Sequence, residues 1–182
     1  MLTIDEVNQV YKEADCLHDL DAVNNALDKM AAAITKKLGS NNPLVISVMS
    51  GAMIPAGHLL TRLNFPLEID YIHATRYANQ TRGGEISWLV EPRAELKGRD
   101  ILVVDDILDE GITLAEILKY CKDKQANAVY SAVLVDKIHN RKNDLVADFV
   151  GVETEDRYLF GFGMDYKGYL RNAPGIYAVK GM

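Results

Sequence analysis

The chain has 182 residues, of which 48% are hydrophobic and 25% are charged, a composition typical of a globular protein with a substantial core. Its 20 Lys and Arg residues against 26 Asp and Glu residues give a formal net charge of −6, which argues against a broad basic surface for nucleic acid or anionic membranes. The two cysteines have no spacing typical of a zinc site or a disulfide framework. No stretch reaches the roughly 18 apolar residues that span a bilayer, so we expect a single-domain cytoplasmic protein.

Two helices are predicted near the N-terminus. Thr3 and Glu6 have the spacing of a capping box, which predicts a short first helix. Apolar residues recur at helical spacing through residues 18–39, and Gly39 can end this second helix. We expect both helices to precede the first strand and to pack over a sheet or form part of a cap.

Apolar segments rich in β-branched and aromatic residues then alternate with amphipathic ones. The predicted strands are 44–49, 67–77, 86–90, 101–104, 128–135, 148–152 and 175–179, and the predicted helices are 55–63 and 113–121. The second and third strands are expected to pair across the polar segment ANQTRGGE. Helices that alternate with apolar strands predict an α/β fold with a mainly parallel twisted sheet flanked by helices.

The segment ILVVDDILDEGITL, residues 101–114, is the strongest chemical signal in the sequence. In a parallel sheet the loops after Met49, Val104 and Val135 should converge on one crevice. Asp105 and Asp106 can accept hydrogen bonds from sugar hydroxyls, while the backbone amides of residues 109–113 can surround an anion. This pattern predicts a sugar-phosphate site. The alternative is an ordinary strand end whose polar side chains cap the next helix.

The string VVDDILDEGITL resembles the phosphoribosyl pyrophosphate signature of type I phosphoribosyltransferases. The resemblance extends over residues 44–179 to the hypoxanthine-guanine phosphoribosyltransferases, through LVISVMSGAMIPAGHLL, LEIDYIHATRY, GRDILVVDDILDEGITL, VDKIHNR and DRYLFGFGMDYKGYLRNAPGIYAV. It implies the type I fold in one domain, residues 1–182, with a core of about 40–150. The N-terminal helices 3–38 and the C-terminal segment 151–182 would contribute a small hood and the purine site.

The resemblance implies purine salvage, in which a 5-phosphoribosyl group moves from phosphoribosyl pyrophosphate to N9 of hypoxanthine or guanine. The products would be IMP or GMP and pyrophosphate, Mg²⁺ would be the cofactor, and the protein would be a homodimer or homotetramer with no nucleic-acid or membrane partner. Two alternatives stay open. One is a preference for xanthine, and the other is a regulator that senses phosphoribosyl pyrophosphate and binds nucleic acid, which the acidic charge argues against.

The resemblance assigns the sugar-phosphate residues as follows. Asp105 and Asp106 match the pair that holds the ribose hydroxyls, and Asp109 matches the carboxylate near purine N7 that acts as general base. The loop for the 5-phosphate comprises Asp109, Glu110, Gly111, Ile112 and Thr113. Asp105 and Asp106, together with Asp165, would also serve the metal.

The purine and pyrophosphate residues follow in the same way. Lys137 matches the lysine that recognises the 6-oxo group, Tyr158 the aromatic that stacks on the base, and Leu159 a backbone contact to its edge. Asp165 matches an acidic residue of the purine site associated with magnesium pyrophosphate. The remaining matches are Ser50, Gly51, Arg141 and Arg171 for pyrophosphate, and Arg76 and Tyr77 for a flexible loop that covers the site.

Two positions depart from the family pattern. Glu110 stands where many relatives have Thr or Ser, and a carboxylate beside a phosphate is electrostatically unfavourable. We therefore expect its side chain to point away, with only its backbone N–H serving the phosphate. Ser50 replaces a lysine found in some relatives, so one contact to pyrophosphate is missing or supplied elsewhere.

Overall fold

The computed structural model describes residues 2–76 and 86–182. Its helices are α1 (Ile4–Glu13), α2 (Leu20–Leu38), α3 (Met53–Leu60) and α4 (Ile112–Asp123). Its strands are β1 (Asp15–His18), β2 (Leu44–Met49), β3 (Glu68–Arg76), β4 (Ile86–Val90), β5 (Asp100–Leu108), β6 (Ala128–Ile138), β7 (Phe149–Glu155), β8 (Leu159–Phe160) and β9 (Ile176–Ala178). None of the helices in these two ranges has the length and apolar character needed to cross a membrane.

The main sheet has six strands in the order β4-β3-β2-β5-β6-β7. All neighbours are parallel except β3 and β4, which pair antiparallel. The predicted mainly parallel sheet and the predicted pairing of these two strands are therefore confirmed. Because parallel strands need a covering layer on each face, the central strands are continuous apolar runs.

The core lies between the main sheet and its helices. The apolar side chains of α2 that recur at helical spacing, among them Val23, Leu27 and Ile34, are fully or almost fully buried. Strands β2, β5 and β6 supply the opposing layer, including Ile46 and Val103, which have no exposed surface. Burial of each such side chain is worth about 1.5–3 kcal/mol, so this layer fixes the sheet edge on which the polar loops lie.

Both N-terminal helices form where the sequence predicts them, the first from its capping box and the second from its apolar spacing. In α1 the backbone N–H of Glu6 donates to Thr3 Oγ1 at 3.2 Å, and the Thr3 N–H donates to the Glu6 carboxylate at 2.7 Å. In α2 the Asp19 carboxylate accepts from the Ala22 N–H at 2.9 Å, and the helix ends at Gly39. These bonds satisfy amides that a helix N-terminus otherwise leaves unpaired.

A second, three-stranded antiparallel sheet with the order β1-β9-β8 forms the hood. It joins the two ends of the sequence, since Asp15 pairs with Ala178, which also pairs with Leu159. Phe160 stacks on Tyr177 with ring centroids 5.5 Å apart. The predicted hood is confirmed, but β1 and β8 were not predicted. The expectation that both helices precede the first strand is wrong, because β1 lies between them.

Two boundaries differ from prediction in ways that affect the site. Strand β5 continues to Leu108 rather than ending at Val104, because β6 runs beside it and pairs Leu108 with Asp136. Strand β2 leaves β5 after the pair of Ser47 with Val104, so the last part of β5 has a neighbour on one side only. The acidic pair therefore lies on a strand beside an open gap, and not in a loop. Helix α3 also begins earlier than predicted, at Met53.

Candidate active site

Two adjoining cavities lie at the carboxyl ends of the parallel strands. The larger, of about 460 Å³, is lined by the loop after β2, the end of β5 and the start of α4, with β3 and the hood at its sides. The smaller, of about 300 Å³, is lined by residues of β5, β6 and the hood. Both cavities are lined by Asp106, Ile107, Asp109 and Asp165. We call them the first and second cavity.

The predicted ribose pair lies on the wall of the first cavity. Asp105 and Asp106 are 9% and 8% exposed, and the Asp106 N–H donates to Asp105 Oδ1 at 2.9 Å. Burial raises the pKa of both carboxyl groups, and the negative charge of Asp106 raises that of Asp105 further. Arg171 Nη1 lies 3.9 Å from Asp106 Oδ2 and offsets only part of this charge. Such a pair is stabilised by hydroxyl donors or by a cation.

The loop after β2 closes one side of the first cavity through Gly51. A Cβ atom at this position would overlap the Asp106 carboxylate, so only glycine lets the loop lie against the acid. A cis peptide bond joins Met49 to Ser50 at the start of this loop. Ser50 and Gly51 both line the first cavity, where the resemblance places pyrophosphate.

The predicted phosphate loop forms the N-terminus of α4. Gly111 is the N-cap in a left-handed conformation with φ 79°, which glycine adopts without strain, and it has no side chain with which to cap the helix. The Asp109 carboxylate, one of the two side chains that could cap the helix, is instead bonded to Lys137 and His139. The opening amides of α4 remain available to an anion at the positive end of the helix dipole. The residues from Asp109 to Thr113 all line the first cavity.

Asn143, which follows β6, contacts the phosphate loop. The Asn143 N–H donates to the Glu110 carbonyl at 3.0 Å, and the Asn143 side chain occupies the space that a Cβ at Gly111 would need. The Glu110 side chain is half-buried, and its charge acts on Arg141. The predicted outward orientation of this side chain stays a prediction.

Lys137 lies at the base of the second cavity, with its side chain 9% exposed. Its Nζ is 3.1 Å from Asp109 Oδ2 and 3.3 Å from Asp156 Oδ1. Tyr158, 40% exposed, and Leu159 provide an aromatic and an aliphatic surface of the same cavity. A planar heterocycle can stack on Tyr158 while its polar edge faces the Lys137 ammonium, a group that only donates hydrogen bonds.

Asp109 is held at both oxygens. Lys137 contacts Oδ2, and His139 Nε2 lies 2.6 Å from Oδ1. Burial alone raises the pKa of Asp109, but the hydrogen bonds from Lys137 and His139 outweigh this effect, and the net pKa lies below the ordinary value. The carboxylate is therefore ionised at neutral pH and can accept a proton at the junction of the two cavities.

Asp165 and Arg171 lie in the segment between β8 and β9, and both line the first cavity. Arg171 Nη2 pairs with Asp165 Oδ1 at 2.6 Å, and its Nη1 donates to the Gly163 carbonyl at 2.5 Å. The Gly168 N–H donates to the other Asp165 oxygen at 2.6 Å. Asp105, Asp106 and Asp165 all line the first cavity, where they offer the hard oxygen donors that Mg²⁺ prefers. The raised pKa values of the buried pair are consistent with a site that a cation completes.

The remaining predicted residues are placed as follows. Arg141 does not line the first cavity, because its guanidinium is held by Asp156 with contacts of 2.7 and 3.0 Å. The position predicted for it at pyrophosphate is therefore not the one seen in this structure. Arg76 ends β3, whereas Tyr77 lies outside the described residues.

Asp156 and His139 were missed by the sequence analysis. Ligand atoms of Asp109, His139 and Asp156 lie within 4.8 Å of one another, which by distance alone would suit a metal. The Lys137 ammonium and the Arg141 guanidinium together already balance the two carboxylates, however, so we assign the cluster to charge pairing. The alternation of side chains along β6 could have indicated His139, which lies one residue past the end of this strand and follows Lys137 by two residues.

The acidic pair and the N-terminus of α4 lie together at the carboxyl edge of a mainly parallel sheet, an arrangement that suits a nucleotide-handling protein. The chain belongs to the phosphoribosyltransferase family, since the family model described as the phosphoribosyl transferase domain matches residues 13–167. The family resemblance recognised in the sequence is thereby confirmed.

Two relatives and one solved structure indicate which members of the family this chain is similar to. The chain is 32% identical to the hypoxanthine-guanine phosphoribosyltransferase of Bacillus subtilis, over 88% of this chain and 89% of the relative. It is 31% identical to the hypoxanthine-guanine-xanthine phosphoribosyltransferase of Tritrichomonas foetus, over 90% of each. A solved hypoxanthine-guanine phosphoribosyltransferase from Bacillus anthracis superposes with a TM-score of 0.86 at 30% identity and covers 91% of this chain and 98% of that one.

Proposed function

We propose that this protein transfers the 5-phosphoribosyl group of phosphoribosyl pyrophosphate to N9 of hypoxanthine or guanine. The products are IMP or GMP and pyrophosphate, and the role is purine salvage. The observation that carries this proposal is the pair of adjoining cavities that share Asp106, Asp109 and Asp165. One cavity suits a sugar phosphate and the other a planar base, and the shared wall is where the two must react.

The sugar-phosphate half of the proposal rests on the first cavity. Asp105 and Asp106 accept hydrogen bonds from the two ribose hydroxyls, and the amides from Glu110 to Thr113 bind the 5-phosphate at the start of α4. Pyrophosphate lies toward the loop at Ser50 and Gly51, with Arg171 as the nearby cation. These assignments place C1 of the ribose next to the second cavity.

The base half rests on the second cavity. Tyr158 stacks on the purine, and the Lys137 ammonium donates to its 6-oxo group. Adenine carries an amino group at that position, which also donates and so cannot accept from an ammonium. The proposed preference for 6-oxopurines over adenine follows from this single contact.

Proton transfer is assigned to Asp109. As N9 forms its bond to C1, the bond from C1 to the pyrophosphate oxygen breaks, and the purine proton at N7 moves to the Asp109 carboxylate. Substrate positioning and a water-poor site favour this reaction through a transition state with oxocarbenium character. The low pKa of Asp109 keeps it ready to accept this proton at neutral pH.

We propose that Asp105, Asp106 and Asp165 serve Mg²⁺ bound with pyrophosphate. When bound, the ion supplies positive charge that offsets the negative charge of the leaving group. The donor set supports this assignment, since all three side chains offer carboxylate oxygens in the lining of the first cavity. The predicted cytoplasmic location, single domain and dimeric or tetrameric state stay predictions.

The decisive experiment is a turnover assay with phosphoribosyl pyrophosphate against hypoxanthine, guanine, xanthine and adenine, with and without Mg²⁺. We expect magnesium-dependent nucleotide formation from hypoxanthine or guanine and little from adenine. The result with xanthine decides whether the base range includes it. The absence of turnover with every base, together with a salt-dependent shift of RNA or DNA in a gel, would instead favour the regulator.

A further inference from the structure

His139 has a defined protonation pattern at its two ring nitrogens. The backbone N–H of Arg141 donates to Nδ1 at 3.1 Å. Because a backbone N–H can only donate, Nδ1 carries a lone pair and the ring proton lies on Nε2. Nε2 faces Asp109 Oδ1 at 2.6 Å, and the His139 side chain is 4% exposed. The imidazole is therefore locked as a donor to this carboxylate.

His139 and Lys137 differ in how their donors are used. The Lys137 ammonium has three N–H groups, which serve Asp109, Asp156 and, in the proposed complex, the purine oxygen. When the base binds, Lys137 must share its charge among three partners. His139 has one N–H, committed to Asp109, and its ring is fixed from the other side by the main chain. His139 can therefore hold Asp109 in the same way before and after the base binds.

We propose that His139 is a positioning residue, which through its Nε2–H fixes the Asp109 carboxylate in the orientation that receives the purine proton. This inference rests on the proposed function of Asp109 as the proton acceptor. His139 lies directly after β6, so the proposal gives a residue outside the cavity linings a part in the reaction. His139 lines neither cavity, so it acts through Asp109 alone.

The charges around the pair support this role. Asp109 faces Lys137 on β6, and Arg141 Nη2 lies 3.9 Å from Asp109 Oδ1. Asp156 pairs with Lys137 and with Arg141, and the charge of Glu110 acts on Arg141. The His139 hydrogen bond contributes to the low pKa of Asp109, second among the bonds that lower it after that of Lys137. Loss of this bond should raise the Asp109 pKa.

The test compares His139→Leu, which removes the donor at similar size, with His139→Gln, whose amide N–H can reach the same carboxylate. We expect His139→Leu to lower kcat by roughly tenfold to a hundredfold, the loss typical of one hydrogen bond to a charged group. KM for phosphoribosyl pyrophosphate should not change. The acid limb of the kcat–pH profile should move to higher pH in His139→Leu, and His139→Gln should retain kcat within about threefold.

His58→Leu is the matched control, because His58 is an exposed histidine on α3 that lines neither cavity. Its kcat and its pH profile should equal those of the parent protein. Equal losses in His139→Leu and His139→Gln would show a packing effect and overturn the proposal, as would no loss in either. Nitrogen NMR of the imidazole, assigned by its disappearance in His139→Gln, should show a protonated Nε2 and an unprotonated Nδ1. The opposite tautomer would also overturn it.

A failure of the proposed function is distinguishable from a failure of this inference. If the parent protein gave no turnover with any purine base, the proposed function would fail. The titration of Asp109, followed by carbon NMR of its carboxyl group, would still report on the hydrogen bond. A midpoint that did not rise in His139→Leu would then overturn the inference on its own.

Discussion

The carboxylate of Asp106 occupies the space that a side chain at position 51 would need. The contact joins the loop after β2 to the end of β5 across the gap where these two strands separate. It also sets the distance between the residues proposed for pyrophosphate and those proposed for ribose. The geometry of the first cavity therefore depends on the absence of a side chain at Gly51.

Gly51→Ala tests this dependence. The new methyl group must displace either the loop or Asp106, so we expect kcat/KM for phosphoribosyl pyrophosphate to fall by at least roughly tenfold, the effect of about 1.4 kcal/mol. Gly57→Ala is the control, since a Cβ there meets no atom within 4 Å. That change should leave activity intact and raise stability by up to about 1 kcal/mol, because alanine favours helices. Equal activity in the two variants would show that the contact is unimportant.

Asp109→Asn should lower kcat far more than it weakens either substrate. The amide keeps the shape of the side chain but cannot accept the proton, so the loss appears in the transition state. We expect a fall of about a hundredfold or more, measured by steady-state kinetics with hypoxanthine. An unchanged kcat would remove Asp109 from the mechanism.

The pH dependence of the parent protein follows from the same carboxylate. The folded pKa of Asp109 is depressed, so the ionised form, and with it the activity, is present above that pKa and lost as the pH falls through it. The acid limb of the kcat profile should therefore lie below the ordinary aspartate pKa of about 4. An acid limb near neutral pH would point to another titrating group.

Lys137→Ala should erode the preference for 6-oxopurines over adenine. Removal of the ammonium leaves no donor for the oxygen and leaves Asp109 and Asp156 facing each other without their shared cation. We expect kcat/KM for hypoxanthine to fall by roughly a hundredfold and that for adenine to change little. Discrimination equal to that of the parent would contradict the assignment.

Asp105→Asn should make the ligand-free protein more stable and less active. The folded pKa of Asp105 is raised, so ionisation in the folded state costs free energy as the pH rises above about 4. Removal of one buried charge should raise Tm at pH 7 by about 2–4 °C if the gain is about 1 kcal/mol. The stabilisation by phosphoribosyl pyrophosphate with Mg²⁺ should shrink in the same thermal assay.

Asp28→Asn is the matched control for that assay. Asp28 pairs with Arg62 at 2.6 Å on the surface and is 64% exposed. Exposed pairs contribute about 1 kcal/mol or less, so Tm should fall slightly and the response to ligand should not change. A decrease in Tm for Asp105→Asn would show that the buried pair stabilises the fold.

The long elements were predictable because their patterns are strong over many residues. The helix of residues 20–38 and the central strands follow from apolar spacing alone. Strands β1 and β8 were missed because segments as short as DCLH and LF have no period, and their pairing depends on residues far along the chain. The predicted end of β5 at Val104 is four residues too early, because two consecutive carboxylates are rare inside a buried strand and so indicate its end.

Within the site, the residues that line the cavities were more predictable than the hydrogen bonds between them. Family resemblance assigned Asp105, Asp106, Lys137 and Tyr158, and the structure places all four on the walls of the two cavities. The contact of His139 with Asp109 joins the residues that directly follow β6 and β5, and it depends on the register of these two strands, which no local pattern encodes. The pairing of Arg141 with Asp156 was missed for the same reason.

The hood has a consequence for the order in which the chain gains its structure during synthesis. Strand β1 emerges early from the ribosome, but Asp15 cannot pair until Ala178 has been added. The phosphate loop, in contrast, needs only strands that are neighbours in both sequence and space. Contacts between distant residues form late. A chain stalled before residue 158 would thus hold a formed phosphate loop, but it would lack Asp165 and Arg171 of the first cavity as well as Tyr158 and Leu159 of the second.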